Sequence, residues 1–226
     1  MEEQFKDMMG LIGDTTRAGI LWTLMDGKAL TATELAVAAN TSPQNISMHL
    51  TKLVQANVLM VEKQGRHRYF RLSRQDVAYA LEAMASLIPP KTSKSVAAPG
   101  EIPDVKYCRT CYDHLAGKVG VMLAENLVAR KLIIASSTAF VMSPKGEKWF
   151  SEFGVDIKGL KQQRRTLLRP CLDWSERRNH LAGALGAALL DRMVVLDWLR
   201  KKKHTRAMLI TAKGQQAFYD HFRMSV

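Results

Sequence analysis

"SPQNISMHLTKLVQANVL", residues 42–59, is the stretch on which the fold of this chain turns. Ser42 carries a side-chain oxygen of the kind that caps a helix, and Pro43 follows at the first helical position, where its missing N–H does no harm. A helix starts here. Ile46, Leu50, Leu53 and Val54 recur at helical spacing and predict its buried face. That leaves Gln44, Asn45, Ser47, His49 and Lys52 outside, with donors and acceptors of the length that reads base edges.

Upstream, "TTRAGILWTLMDG" (15–27) places Ile20, Leu21, Leu24 and Met25 on one helical face, and Asp26-Gly27 ends it. "TATELAVAANTS" (31–42) predicts a short helix with Thr31 or Thr33 as its cap. Downstream, "VLMVEK" (58–63) and "RHRYFRLS" (66–73) alternate apolar and polar residues around a tight turn at Gln64-Gly65. Helix, helix, recognition helix and a two-stranded wing make a winged helix-turn-helix. Arg66, His67, Arg68 and Tyr69 stand on that wing.

From Leu11 to Ser73 the chain resembles the ArsR/SmtB family of bacterial repressors. The likeness rests on "IGDTTRAGILWTL" (12–24), on the Ser-x-x-x-x-Ser-x-His-Leu recognition helix at 42–50 and on the Gly65-Arg66 wing. It implies a homodimer held by helices flanking the winged core, here around Glu2–Leu11 and Arg74–Leu87, that reads a two-fold-related operator in double-stranded DNA. Met48 departs from the family pattern, which often has a basic residue there. The metal sites of such repressors are missing: Ala36 and Ala38 stand where a Cys-x-Cys pair would lie, and Ala78 where a histidine would accompany Asp76.

The net charge of +12 is not spread evenly. Residues 1–88 hold nine basic and nine acidic side chains, so the excess of 24 over 12 lies in 89–226. Within the N-terminal half the basic face is local: Lys52, Lys63, Arg66, Arg68 and Arg71 against Glu62 alone between 45 and 72. Three cysteines are too few for a disulfide framework and fit a reducing compartment. No apolar run reaches the length of a membrane helix, so a soluble cytoplasmic protein with no membrane partner is expected.

"PPKTSKSVAAPGEIPDV" (89–105) reads as a linker. Beyond it, "CYDHLAGKVG" from Cys111 and "CLDWSERRNHLAGALG" from Cys171 share a cysteine, an acid and His-Leu-Ala-Gly, and each leads to a Ser/Thr-x-Lys-Gly stretch, 31 residues on from His114 to Lys145 and 33 from His180 to Lys213. This order predicts two copies of a helix-hairpin-helix unit. Ala116, Gly120 and Ala124, with Ala182 and Gly186, form a small-residue seam along the helices, where His114 and His180 cap or bridge the helix starts.

Packed about a pseudo-two-fold axis, the copies would gather Cys108, Cys111, Asp113, His114, Cys171, Asp173, Trp174, Arg177, Arg178 and His180 around one pocket for a small organic effector. A rival reading takes Cys108, Cys111 and Cys171 as three thiolates for a metalloid, metal or redox sensor, with His and Asp assisting zinc. A third makes a cysteine with its nearby histidine a nucleophile and base. The chain has no Gly-rich phosphate loop, HExxH or serine elbow, and no enzyme is expected. The basic runs "KGLKQQRR" and "RKKKHTR" read as solvated faces or an extra wing.

The fold expected is mainly α with short β-hairpins: a winged helix with its dimerisation helices (1–88), a linker (89–105) and a duplicated effector or assembly domain (106–226). The function expected is sequence-specific repression of transcription, relieved by an effector, with no cofactor and no assigned metal.

Overall fold

The computed structural model describes residues 1–88, 104–136, 138–202 and 205–226, and the chain divides into two compact units, Met1–Glu82 and Ala83–Val226. Most of the expected linker, 89–103, lies outside the described residues, while Asp104 and Val105 already belong to a short helix.

The first unit begins with α1 (Glu2–Ile12) and α2 (Thr15–Leu24). Asp14 caps α2 by accepting from the Arg17 backbone N–H at 2.9 Å. Ile20, Leu21, Leu24 and Met25 are all buried, as their spacing predicts. β1 (Leu30–Thr31) leads into α3 (Ala32–Ala38), where Thr31 and Glu34 form a capping box. α4 (Pro43–Gln55) is capped by Ser42, which accepts from Asn45 N–H. Its apolar stripe packs inward, and β2 (Leu59–Gln64) and β3 (His67–Leu72) complete a sheet of order β1-β3-β2. Gln64 pairs with His67, so the turn is Gly65-Arg66, one residue later than the sequence suggests. Gly65 has φ +58° while Arg66 does not share the positive sign, the pattern of a hairpin turn with glycine at its first central position. α5 (Gln75–Ser86) follows.

The second unit opens with α6 (Asp104–Tyr107), then β4 (Arg109–Cys111), β5 (His114–Ala116), α7 (Gly117–Ala129), β6 (Ile133–Ala135), β7 (Phe140–Met142), α8 (Pro144–Glu152) and α9 (Ile157–Lys161). The order hairpin, helix, hairpin, helix then recurs as β8 (Arg169–Leu172), β9 (Asn179–Ala182), α10 (Gly183–Val195), β10 (Leu199–Lys201), β11 (Met208–Ile210) and α11 (Ala212–Phe222).

This corrects the expected helix-hairpin-helix unit in one respect. His-Leu-Ala is a strand in both places, and only the glycine starts the helix, so the histidines do not cap anything. α7 packs on β9 and α10 on β5, so each helix covers the other half's hairpin. The small residues serve that crossing: a Cβ on Gly186 would come 2.5 Å from Leu181 O and 3.2 Å from His114 Cβ, and one on Gly120 would come 2.6 Å from Leu115 O. The Ser/Thr-x-Lys-Gly stretches also have a local cause. Ser143 and Thr211 cap α8 and α11, and a side chain on Gly146 or Gly214 would run into the carbonyl of Leu132 or Trp198. Val119, Leu127, Phe150, Leu185, Trp198, Phe218 and Phe222 share one apolar core beneath the hairpins.

Candidate functional site

Two surfaces of chemistry result, one in each unit. In the first, α4 presents Gln44, Asn45, Ser47 and Lys52 to solvent, with Ser42 at its cap, and the wing presents Arg66, His67 and Arg68. Ser47 Oγ donates to the Pro43 carbonyl at 3.0 Å, which orients it without covering it. Tyr69 is half-buried in the sheet opposite Thr31 and Glu62. Arg71 is paired with Glu62 at 2.6 Å, so the cations left at the recognition face are Lys52, Lys63, Arg66 and Arg68.

His49 does not belong to that outer face. It is only 7 % exposed, and its Nδ1 lies 3.5 Å from Asp14 Oδ1 and 3.4 Å from Arg17 Nη1. The reason is periodicity: Ile46, His49, Leu50 and Leu53 are spaced three, four and seven apart along one face, and histidine takes its place in the buried stripe. Arg17 itself, unforeseen from the sequence, is buried beside His49 and donates to the carbonyls of Gly10, at 3.0 Å, and Leu11, closing the end of α1.

The second unit holds its polar groups inside. In hairpin β4–β5, Cys111 is the cross-strand partner of His114; in β8–β9, Cys171 is that of His180. The hairpins face one another so that Cys111 Sγ lies 3.9 Å from Cys171 Sγ and His114 Nε2 lies 3.1 Å from His180 Nε2. All four ligand-type atoms fall within 4.8 Å of one another. The sulfur separation is far beyond the ~2.05 Å of a disulfide.

Two carboxylates flank the imidazoles. Asp113 Oδ1 is 3.1 Å from His114 Nδ1, and Arg165 grips both oxygens of Asp113 at 2.8 and 3.2 Å. Asp173 Oδ2 is 3.3 Å from His180 Nδ1, though not aligned for a full hydrogen bond. Asp173 also accepts from Arg109 Nη2 and Gly117 N–H, both at 2.8 Å, and from Ser175 Oγ at 2.6 Å. Arg109 and Asp173 are fully buried, and the Arg109 guanidinium lies 4.5 Å over the Trp174 ring.

The electrostatics follow from these partners. Burial works against the Asp173 carboxylate, but His180, Arg109 and Ser175 outweigh it and hold its pKa below the usual range. Burial likewise disfavours charged His180, yet Asp173 and Cys171 push its pKa up to about 9. The Cys111 contact, helped by both histidines, holds Cys171 well below an ordinary thiol.

Of the expected effector residues, the structure brings together Cys111, Asp113, His114, Cys171, Asp173 and His180, with Trp174 stacked behind. Cys108 is not among them: it packs in the apolar core, where burial pushes its pKa up to about 12, so the three cysteines do not converge as a thiolate trio. Arg177 and Arg178 are exposed, Arg178 pairing with Glu125. The four ligand atoms lie within 4.8 Å of one another, too close to enclose an organic molecule between them. A groove of about 570 Å³ lies elsewhere in the unit, between Phe153, Arg192, Trp198, Lys213, Gln216 and His221, and it includes none of the expected effector residues. Arg109 and Arg165 were missed because their partners are 64 and 52 residues away.

Residues 12–62, from the end of α1 into β2, match the model of a helix-turn-helix domain. Over its whole length of 226 residues the chain is 41% identical to YdfF of Bacillus subtilis (strain 168), an uncharacterized HTH-type transcriptional regulator, and it covers 100% of that protein. The chain belongs to this family of HTH-type transcriptional regulators. DNA binding is therefore the work of the first unit, which holds the matched residues. Among solved structures, reduced HlyU from Vibrio cholerae N16961 is 22% identical with a TM-score of 0.35, covering 39% of this chain and 92% of its own. The homodimeric winged helix-turn-helix domain of Mb0332 from Mycobacterium bovis, a possible ArsR-family regulator, is 17% identical with a TM-score of 0.37, covering 42% and 88%. No helix among the described residues is long and apolar enough to cross a membrane.

Proposed function

We propose that this regulator acts as a homodimeric, ArsR-like repressor, inserting α4 into the major groove of a two-fold-related operator and laying the wing against flanking phosphates. The observation that carries the reading is the outer face of α4, where Gln44, Asn45, Ser47 and Lys52 are exposed beside Arg66 and Arg68. Gln44 and Asn45 read bases; Lys52, Arg66 and Arg68 hold the backbone. The dimer contact is supported by α1, which has no buried residue and exposes Phe5, Met8 and Met9 along its length. The recurring order of elements and of Cys, Asp and His in the second unit supports its origin by duplication and its role as the part that sets operator release.

Gln44→Ala and Arg68→Ala in the full-length protein test the division of labour. Gln44→Ala is expected to relax sequence preference by about 1–3 kcal/mol, and Arg68→Ala to weaken all DNA binding while lowering the salt slope by about one unit. Equal losses on operator and random DNA for Gln44→Ala would remove it from the reading set.

A further inference from the structure

We infer that Cys111, His114, Cys171 and His180 bind one zinc ion, which joins the two hairpins of the second unit. The inference does not depend on how α4 reads DNA. Its first support is distance. A tetrahedral ion with metal–sulfur bonds of about 2.3 Å and metal–nitrogen bonds of about 2.05 Å sets its two sulfurs about 3.8 Å apart and its two nitrogens about 3.3 Å apart. Here the sulfurs are 3.9 Å apart and the Nε2 atoms 3.1 Å apart, so two opposite edges of that tetrahedron are already in place.

The second support is the direction of the imidazoles. Each histidine turns Nδ1 toward a carboxylate, Asp113 at 3.1 Å and Asp173 at 3.3 Å. A carboxylate at Nδ1 holds the proton there and leaves the Nε2 lone pair to a metal, the arrangement that orients ligating histidines. The two Nε2 atoms face each other across 3.1 Å, close to the separation that one shared tetrahedral cation would set.

Charge is the third support. Asp113 has Arg165 and Asp173 has Arg109 as its own counterion, so the carboxylates are neutralised without help from the cluster. Two thiolates and one divalent cation are then neutral as a set. Binding releases two protons from the four ligands and takes up Zn²⁺, with no net charge added to the interior. Two sulfurs and two imidazoles suit zinc, and four protein ligands close the site, which makes it structural rather than catalytic. Neither hairpin supplies more than two ligands, so the ion fastens the halves 60 residues apart in the chain.

The full-length protein, purified under reducing conditions without added metal, should carry one zinc per chain by elemental analysis. Exchange for Co²⁺ should give the intense visible bands of a four-coordinate ion and a thiolate charge-transfer band in the near ultraviolet. Cys108→Ala should keep both signals, Cys171→Ser and His180→Gln should lose them, and Asp113→Asn should lower zinc affinity about 10-fold or more. Should the ligand variants fail to fold, the stoichiometry and cobalt spectrum of the unmodified chain decide alone. A wild-type protein without zinc that gives a weak, six-coordinate cobalt spectrum overturns the inference, as does zinc retained in Cys171→Ser or lost in Cys108→Ala.

Discussion

The first unit carries its charged and polar chemistry outside and the second carries it inside. In the winged helix the polar side chains of α4 and the wing are outside, over an interior of Ile20, Leu24, Ile46, Leu50 and Leu53. In the second unit Arg109, His114, Asp173 and His180 are the interior, at 0 % exposure. The difference teaches what each unit is built to do. Exposed donors cost nothing to keep and are available to DNA, whereas a buried ion pair survives only if every member is held, because removing one partner leaves an uncompensated charge in a low dielectric. The first unit turns its polar groups outward, where DNA can reach them; the second holds itself together around a polar centre.

The strongest test of that contrast is Asp173→Ala. It strips Arg109, Gly117 N–H and Ser175 of a shared acceptor and His180 of the carboxylate beside it, and the second unit should lose about 3–5 kcal/mol. Chemical denaturation followed by tryptophan fluorescence, to which Trp149, Trp174 and Trp198 of the second unit contribute, checks it. A loss below about 1 kcal/mol, the level of an exposed ion pair, would show that the polar interior is solvated and the contrast false.

His49→Ala asks whether the first unit is as outward-facing as drawn. The side chain is buried against Asp14 and Arg17, so stability should fall by about 1–3 kcal/mol while the ratio of operator to random-DNA affinity stays unchanged. A changed ratio with unchanged stability would return His49 to the recognition face.

The smallest effect expected is at Asp14, the cap of α2. Asp14→Ala should cost about 1 kcal/mol near neutral pH. The hydrogen bond from Arg17 N–H holds the Asp14 pKa below its ordinary value. A depressed folded pKa means that its contribution is present above the unfolded pKa and is lost as pH falls through the folded one. The gap between wild type and variant should therefore close below about pH 4, and a gap independent of pH would show that the carboxylate charge is irrelevant to the cap.

What the sequence alone determined is the part of the protein governed by neighbours in the chain. Ser42-Pro43, a threonine cap at Thr31 or Thr33, the apolar stripe of α4 and the Gly65 turn each act between near neighbours or across one tight hairpin, and together they specify a winged helix-turn-helix without reference to anything distant. Beyond the turn set one residue early, the slip there, His49, came from treating a polar side chain as external when its position in the stripe already placed it inside. The second unit resisted the same reading. Its strands are three or four residues long, and Arg109–Cys111 and His114–Ala116 are buried at every position, so no alternation marks them and His-Leu-Ala-Gly reads as the opening of a helix. The recurrence of Cys, Asp and His was visible in the sequence; that Cys111 and His114 meet Cys171 and His180, that Cys108 is left out, and that Arg109 and Arg165 are their anions' counterions was not. Those pairings span more than fifty residues, and only the crossing of α7 over β9 and α10 over β5 brings them within bonding distance.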